Sequence, residues 1–432
     1  VTKVTSTDYR RPHRPLLFRG ANLALGGLSR VGSRSLRASL EESSLLEAAE
    51  RTTGLLDYGD SSFREPFRKL LSSIESEAHL HPVGRHMVRE RLVSNLANRM
   101  RIEEQFRRHP ELEGSRVSAP IVIVGLQRTG TTLLHRLLAA DRRVRSLASW
   151  EALAPAPLGK DDRPAANGSP DPRKANAALA ERALRYLAPD FFAVHPVEAG
   201  APEEDVLLLD LSFRSTVAEA TLRVPSFSRW LEEQDQEPAY RMLERCLRLL
   251  QWQRPGTEAS ELGENTRWVL KTPHHLEWLE VLLGVFPNAK VIWTHRDPKT
   301  TVASFCSMVA HGRGVFSDRV DPIEIGQDWG RKVGRMIERA MAARDAAGER
   351  YFVDVHYDDL TKKPLEVMKR VYGELGMPYT KDTETVMKDL LRTHTQHRHG
   401  VHRYAMEDFG LSARGLDAQF EAYRQRFLSP RG

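Results

Sequence analysis

One short segment restricts the fold more than any other feature of the chain. Ile121-Val122-Ile123-Val124 is a continuous run of β-branched residues, and Gly125-Leu126-Gln127-Arg128-Thr129-Gly130-Thr131-Thr132 follows at once. The run reads as a parallel strand buried on both faces. The next six residues form a tight loop bounded by glycines, and a helix over Thr131 to Ala140 comes after it. In a strand, loop and helix of this kind, the backbone N–H groups and the positive end of the helix converge on one point. That is a cradle for phosphate. Arg128 adds a guanidinium that can hold phosphate through two parallel bonds, and Thr131 and Thr132 add hydroxyls. The loop is not an intact Walker A motif, because Thr131 stands where that motif has lysine. The lysine and Mg²⁺ arrangement of ATPases is therefore missing.

The rest of the chain repeats this alternation. Strand-like runs occur at Trp268 to Leu270, Lys290 to Thr294 and Tyr351 to Val355, with helical patterns between and after them. This predicts an α/β, P-loop-like three-layer fold with a central, mostly parallel sheet. A region of helical periodicity, broken by Asp57-Tyr58-Gly59-Asp60, precedes it from about Ser39 to Arg108. The expected organisation is an arm over 1–38, a helical extension over 39–119, an α/β domain over 120–403 with an acceptor-side insertion at about 152–265, and a helical tail over 404–432.

Composition narrows the function class. The 432 residues include 64 Lys and Arg against 58 Asp and Glu, a formal charge of +6. That mild excess suits an anionic ligand without selecting one. The basic residues lack the aromatic interleaving of a nucleic-acid groove, so no nucleic-acid partner is expected. Cys246 and Cys306 have no metal or disulfide spacing, and no metal is expected. No secretion signal or membrane-spanning run stands out, so the expected location is cytoplasmic. Arg10 to Arg37 mixes arginines with leucines. This pattern suits a helix lying at the inner membrane face and equally a helix packed on the body. A homodimer stays open.

At this point the chain resembles the PAPS-dependent sulfotransferases, in particular a bacterial general branch with an N-terminal helical extension (PAPS is 3′-phosphoadenosine-5′-phosphosulfate). Gly125 to Thr132 is similar to the family's 5′-phosphosulfate loop. The resemblance implies that Gln127, Arg128, Thr129, Gly130, Thr131 and Thr132 hold that end of the nucleotide. A second element agrees: the strand Lys290 to Thr294 runs into Arg296, and Ser304 follows eight residues later. This is similar to the family's 3′-phosphate element, with Arg296 and Ser304 as ligands. His397-Arg398-His399-Gly400 resembles a degenerate form of a third phosphate clamp, implying Arg398 and Gly400, with Arg403 as an alternative. Leu133 stands where relatives carry an adenine-stacking tryptophan, so stacking must come from elsewhere.

Transfer of a sulfuryl group to a hydroxyl needs alignment, a base and positive charge near the leaving oxygen. Lys271-Thr272-Pro273-His274-His275 resembles the family's Lys-Thr-His element with an inserted proline. Lys271 is the candidate for steadying the sulfuryl group or the bridging oxygen, together with Arg128. The base is His274, His275 or Glu151. Imidazole titrates near neutrality, whereas a carboxylate base would need a raised pKa. The implied reaction moves sulfuryl from PAPS to a small-molecule, glycan or lipid hydroxyl, leaving PAP. The alternatives are a nucleotide-binding protein without transfer and a divergent nucleotide-dependent kinase.

Overall fold

The computed structural model describes residues 8–10, 12–30, 38–159, 171–195, 197–254, 266–393 and 404–429. Five parallel strands form one sheet in the order β2-β3-β1-β4-β5. They are β1 (Ile121–Val124), β2 (Val144–Ser146), β3 (Arg267–Lys271), β4 (Lys290–His295) and β5 (Phe352–His356). Alternate residues of a strand point to opposite faces, and the two cores follow that rule. Ile121 and Ile123 join Val269, Ile292, Val353 and Val355 in one core, under the helices Thr131–Ala139 and Pro364–Glu374. Val122 and Val124 join Trp268, Leu270, Val291 and Trp293 in the other, against the helices Glu237–Gln253, Pro298–Phe316 and Pro322–Ala347. Helices on both faces of a parallel sheet give the expected three layers.

β1 lies centrally, between β3 and β4, and its four residues are fully buried. The carboxyl ends of β1, β3 and β4 therefore sit side by side, where ligands bind in open parallel sheets. The registers Val124↔Trp293 and Ile123↔Lys271 bring Gly125 near the β4 exit and Lys271 beside the loop's root.

Before the sheet come α1 (Leu16–Arg30), α2 (Glu42–Thr53), α3 (Arg64–Glu77) and α4 (Pro82–Arg108). α2 to α4 build a third core with Phe213, Leu222, Val224 and Phe227 from the segment between β2 and β3. The break expected at 57–60 is real, and Asp60 there caps the following turn by accepting the Ser62 N–H. The helix after β4 starts at Pro298, behind Asp297, whose side chain caps it by accepting the Lys299 N–H. The short apolar run Val206 to Leu211 is helical, as an α-turn followed by a 3₁₀ turn. Among the described residues no helix is long and apolar enough to cross a membrane.

Candidate active site

The loop after β1 takes its shape from three residues with positive φ: Gly125 at 148°, Arg128 at 70° and Gly130 at 87°. A Cβ on Gly125 would sit 2.1 Å from Thr294 Oγ1, so the loop root and the β4 exit can meet only through glycine. Thr129 is buried, and its hydroxyl lies 2.6 Å from Thr294 Oγ1. It braces the loop from below rather than facing out. Arg128 is exposed in a left-handed conformation that non-glycine residues seldom adopt. Arg296, just past β4, donates from Nη1 to the Arg128 carbonyl at 2.8 Å. Its guanidinium also stacks 3.9 Å from the centroid of the Tyr357 ring. The two arginines singled out in the sequence thus lie on one rim.

That rim is one end of a cavity of about 890 Å³. Gln127, Arg128, Gly130, Thr131, Thr132 and Arg296 line it there, with Tyr357. Further in, the walls are Ser149, Glu203, Glu204, Thr272 and His274. The far part is mostly apolar, with Phe191, Ala220, Phe305, Met308, Trp329 and Met336 among its walls.

The three candidate bases have different surroundings. Glu151 is 1% exposed, accepts the Ala148 N–H at 3.0 Å and is ion-paired with Arg254. It caps its own short helix, and the cavity lining does not include it. His275 is fully buried. Its Nδ1 lies 2.9 Å from the Tyr240 hydroxyl and its Nε2 lies 2.8 Å from Asp205 Oδ2. His274 is on the cavity wall, 1% exposed, and neither ring nitrogen has a hydrogen-bond partner among the described residues. Burial pushes its imidazole well below the ordinary value. His275 and the Lys332 ammonium push the same way, against Asp205. The ring is therefore neutral near pH 7, with a lone pair to offer. The inserted Pro273 begins a 3₁₀ turn over Pro273–Trp278, and Thr272 Oγ1 accepts the His274 N–H at 3.3 Å. That turn sends two adjacent imidazoles to different places.

The Lys271 ammonium is paired with Glu204, which is on the cavity wall while Lys271 itself is not, and the Lys271 backbone N–H donates to Asp205 Oδ1 at 2.8 Å. Ser304 is buried at the end of the second turn of Pro298–Phe316 and is not on the cavity wall. Arg398, Gly400 and Arg403 lie outside the described residues. Sequence reading passed over several lining groups, Tyr357 and Ser149 among them. Tyr357 belongs to a segment that reads only as a strand end. Ser149 Oγ is buried on the wall without a hydrogen-bond partner among the described residues, and a lone serine before Trp150 carries no signal.

Comparison with known proteins agrees with this geometry. The family model described as "Sulfotransferase family" matches residues 120–381. The crystal structure of sulfotransferase STF1 from Mycobacterium tuberculosis H37Rv is 30% identical, with a TM-score of 0.76, covering 89% of this chain and 100% of that one. The structure of sulfotransferase STF9 from Mycobacterium avium is 27% identical, with a TM-score of 0.78, covering 90% and 97%. The omega-hydroxy-beta-dihydromenaquinone-9 sulfotransferase Stf3 of Mycobacterium tuberculosis is 27% identical over 278 residues, which span 60% of this chain and 63% of that protein. The cradle, the paired arginines and these matches agree: the chain belongs to the sulfotransferase family, in the PAPS-dependent superfamily and its bacterial branch with N-terminal helices preceding the core.

Proposed function

We propose that this chain transfers the sulfuryl group of PAPS to a hydroxyl on a largely apolar small molecule or lipid. The observation that carries the reading is the Arg296–Arg128 contact at the rim of the cavity. It joins two phosphate-binding elements that are 168 residues apart in the chain. A cradle for one phosphate would need only the loop. A second arginine fixed beside it suits an adenosine carrying phosphate at both 3′ and 5′ positions. The donor set agrees with this: backbone N–H groups at a helix start, two threonine hydroxyls and two guanidiniums, without a Walker lysine.

PAPS supplies an activated sulfur, so transfer forms a bond from the acceptor oxygen to sulfur and breaks the bond from sulfur to the phosphate oxygen of PAP. The protein's residues divide the remaining tasks. Arg128, Thr131 and Thr132 hold the 5′ end, and Arg296 holds the 3′-phosphate with its second face on Tyr357. His274 takes the acceptor proton on its unpartnered ring. Lys271, held by Glu204, offsets charge on the departing oxygen. Phe305, Met308, Trp329 and Met336 exclude water around the acceptor. The acceptor class rests on that apolar wall, and the similar Stf3, named for a menaquinone substrate, fits the same class.

The test measures label transfer from [³⁵S]PAPS to a panel of primary alcohols graded from sugars to prenyl alcohols, with PAP binding followed by calorimetry. PAP should bind without Mg²⁺, and label should move to the apolar members. Failure of PAP to bind, or a Mg²⁺-dependent preference for ATP, would overturn the reading. Transfer restricted to sugars would overturn the acceptor class alone.

A further inference from the structure

Among the described residues, the helix α1 meets the body along one stripe. Phe18 is buried against the His81 ring at 5.3 Å between centroids, and Asn22 Oδ1 accepts the Val83 N–H at 2.9 Å. Leu25 and Gly26 continue the stripe at helical spacing. The opposite side carries Leu16, Leu17, Gly20, Leu23, Ala24 and Gly27, all exposed, and Arg19 stands at its edge. Leu16, Leu17 and Leu23 are 83%, 75% and 78% exposed. Only one other large apolar side chain among the described residues, Leu56 at 79%, is as open. Single exposed leucines are ordinary, but three on one helix face make a surface that needs a partner.

The charge beside that face says which partner. Arg10, Arg14 and Arg19 line a cleft of about 330 Å³ next to it, together with Asp318; Arg10 and Arg14 are ion-paired with Asp408 and Asp318, and Arg19 stands exposed beside the leucines. Between Tyr9 and Leu40 the sequence has seven arginines and no Asp or Glu. A second copy docked by twofold symmetry would set these arginines against one another. A bilayer surface offers an apolar layer to the leucines and negative headgroups to the arginines. We propose that α1 lies in the plane of an anionic lipid surface, with its leucines in the acyl boundary and Arg19 at the headgroup phosphates.

The placement has a functional consequence. The His13 N–H donates to Asp190 Oδ2 at 2.7 Å, and the next residue, Phe191, is a wall of the large cavity. α4, beneath α1, adds Met87 and Arg91 to that wall. The segment before α1 and the helix beneath it therefore touch elements that wall the cavity. A lipid-borne hydroxyl would reach the cavity without first crossing bulk water. The docking itself does not depend on the transfer reading, and its test uses no catalysis.

The test is cosedimentation of the full chain with extruded vesicles of phosphatidylcholine, with and without one-third phosphatidylglycerol. Binding should need the anionic lipid and weaken with salt. The double variant Leu17→Asp, Leu23→Asp should fall to background. Arg19→Glu should weaken binding about tenfold, from loss and reversal of one charge near the surface. Unchanged circular dichroism and melting temperature of both variants show that they are folded. Absence of binding to anionic vesicles, or binding untouched by the leucine variant, overturns the proposal. So does a wild-type dimer that the leucine variant converts to monomer without any vesicle binding, because a second copy would then cover the face.

Discussion

The two ends of the large cavity are built in different ways. At the phosphate end, contiguous backbone does most of the work: eight residues after β1 set the loop, and β4 delivers Arg296 onto it. Along the apolar walls, Phe191, Ala220, Phe305, Trp329 and Met336 come from four segments, with Trp329 and Met336 two turns apart on one helix, and no two are sequence neighbours. A contiguous site tolerates little local change, because Gly125 and Gly130 hold conformations that other residues strain to adopt. A site assembled from side chains can change its lining while the fold stays intact. The donor should then be common to the family and the acceptor particular to each member. His274 and His275 repeat the contrast on a smaller scale, one lining the cavity and its neighbour packed between Tyr240 and Asp205.

The largest expected effect tests that smaller contrast. His274→Ala should lower kcat by about 10²- to 10⁴-fold, the usual worth of a positioned base, and leave PAP affinity and the melting temperature near wild type. His275→Asn should do the reverse. It takes the imidazole away from a buried Asp205 and from Tyr240, costing about 3–5 kcal/mol of stability, while the His274 ring remains. The pH profile separates the two further. On the proposed reading the neutral His274 ring is the active form, and burial holds its value well below the ordinary one. As pH falls, kcat/KM should stay level through the ordinary imidazole value and drop only further down. A profile already falling near pH 6.5 would move the base elsewhere. Steady-state kinetics beside thermal unfolding distinguishes these outcomes.

The next effect tests the phosphate end. Arg296→Ala removes both a phosphate ligand and the donor to the Arg128 carbonyl, so PAP affinity should fall about 10²-fold by calorimetry. Arg296→Lys keeps the charge but not the fork that reaches Arg128 and Tyr357 together, so it should recover only part of the loss. Full recovery would mean that charge alone matters there.

How much could be read in advance follows the same division. β1, β3, β4 and β5 are apolar runs, and each appears where its run predicts, within a residue at either end. β2 was not legible: it is three residues long at the sheet edge, with Arg145 and Ser146 breaking any run. The loop stood out because the tight turn needs Gly125 and Gly130, and the two arginines because each follows closely on a strand-like run. The choice among Glu151, His274 and His275 was not legible. It turns on Arg254 meeting Glu151 across 103 positions, and on Asp205 and Tyr240 reaching His275 from other segments. Such pairings exist only once the chain is folded. Leu133 signalled that the adenine lacks the usual tryptophan, without saying which ring lies near the nucleotide.

The smallest effect concerns that ring. Tyr357 lies on the cavity rim with Arg296 stacked on one face, and a Cβ on Gly130 would come 3.2 Å from its Cδ2. It therefore sits where the phosphate loop and the 3′-phosphate arginine meet, and its ring orients that arginine. Tyr357→Ala frees the guanidinium to swing and opens the rim to water. A cation–π contact at a partly exposed site is worth about 0.5–1 kcal/mol, so PAP affinity should fall about three- to fivefold with kcat nearly unchanged. Tyr357→Phe keeps the ring and should bind PAP as the wild type does. A loss nearer a hundredfold in the alanine variant, still absent in the phenylalanine variant, would fit base stacking, worth about 1–3 kcal/mol, and would assign to Tyr357 the role that Leu133 vacates.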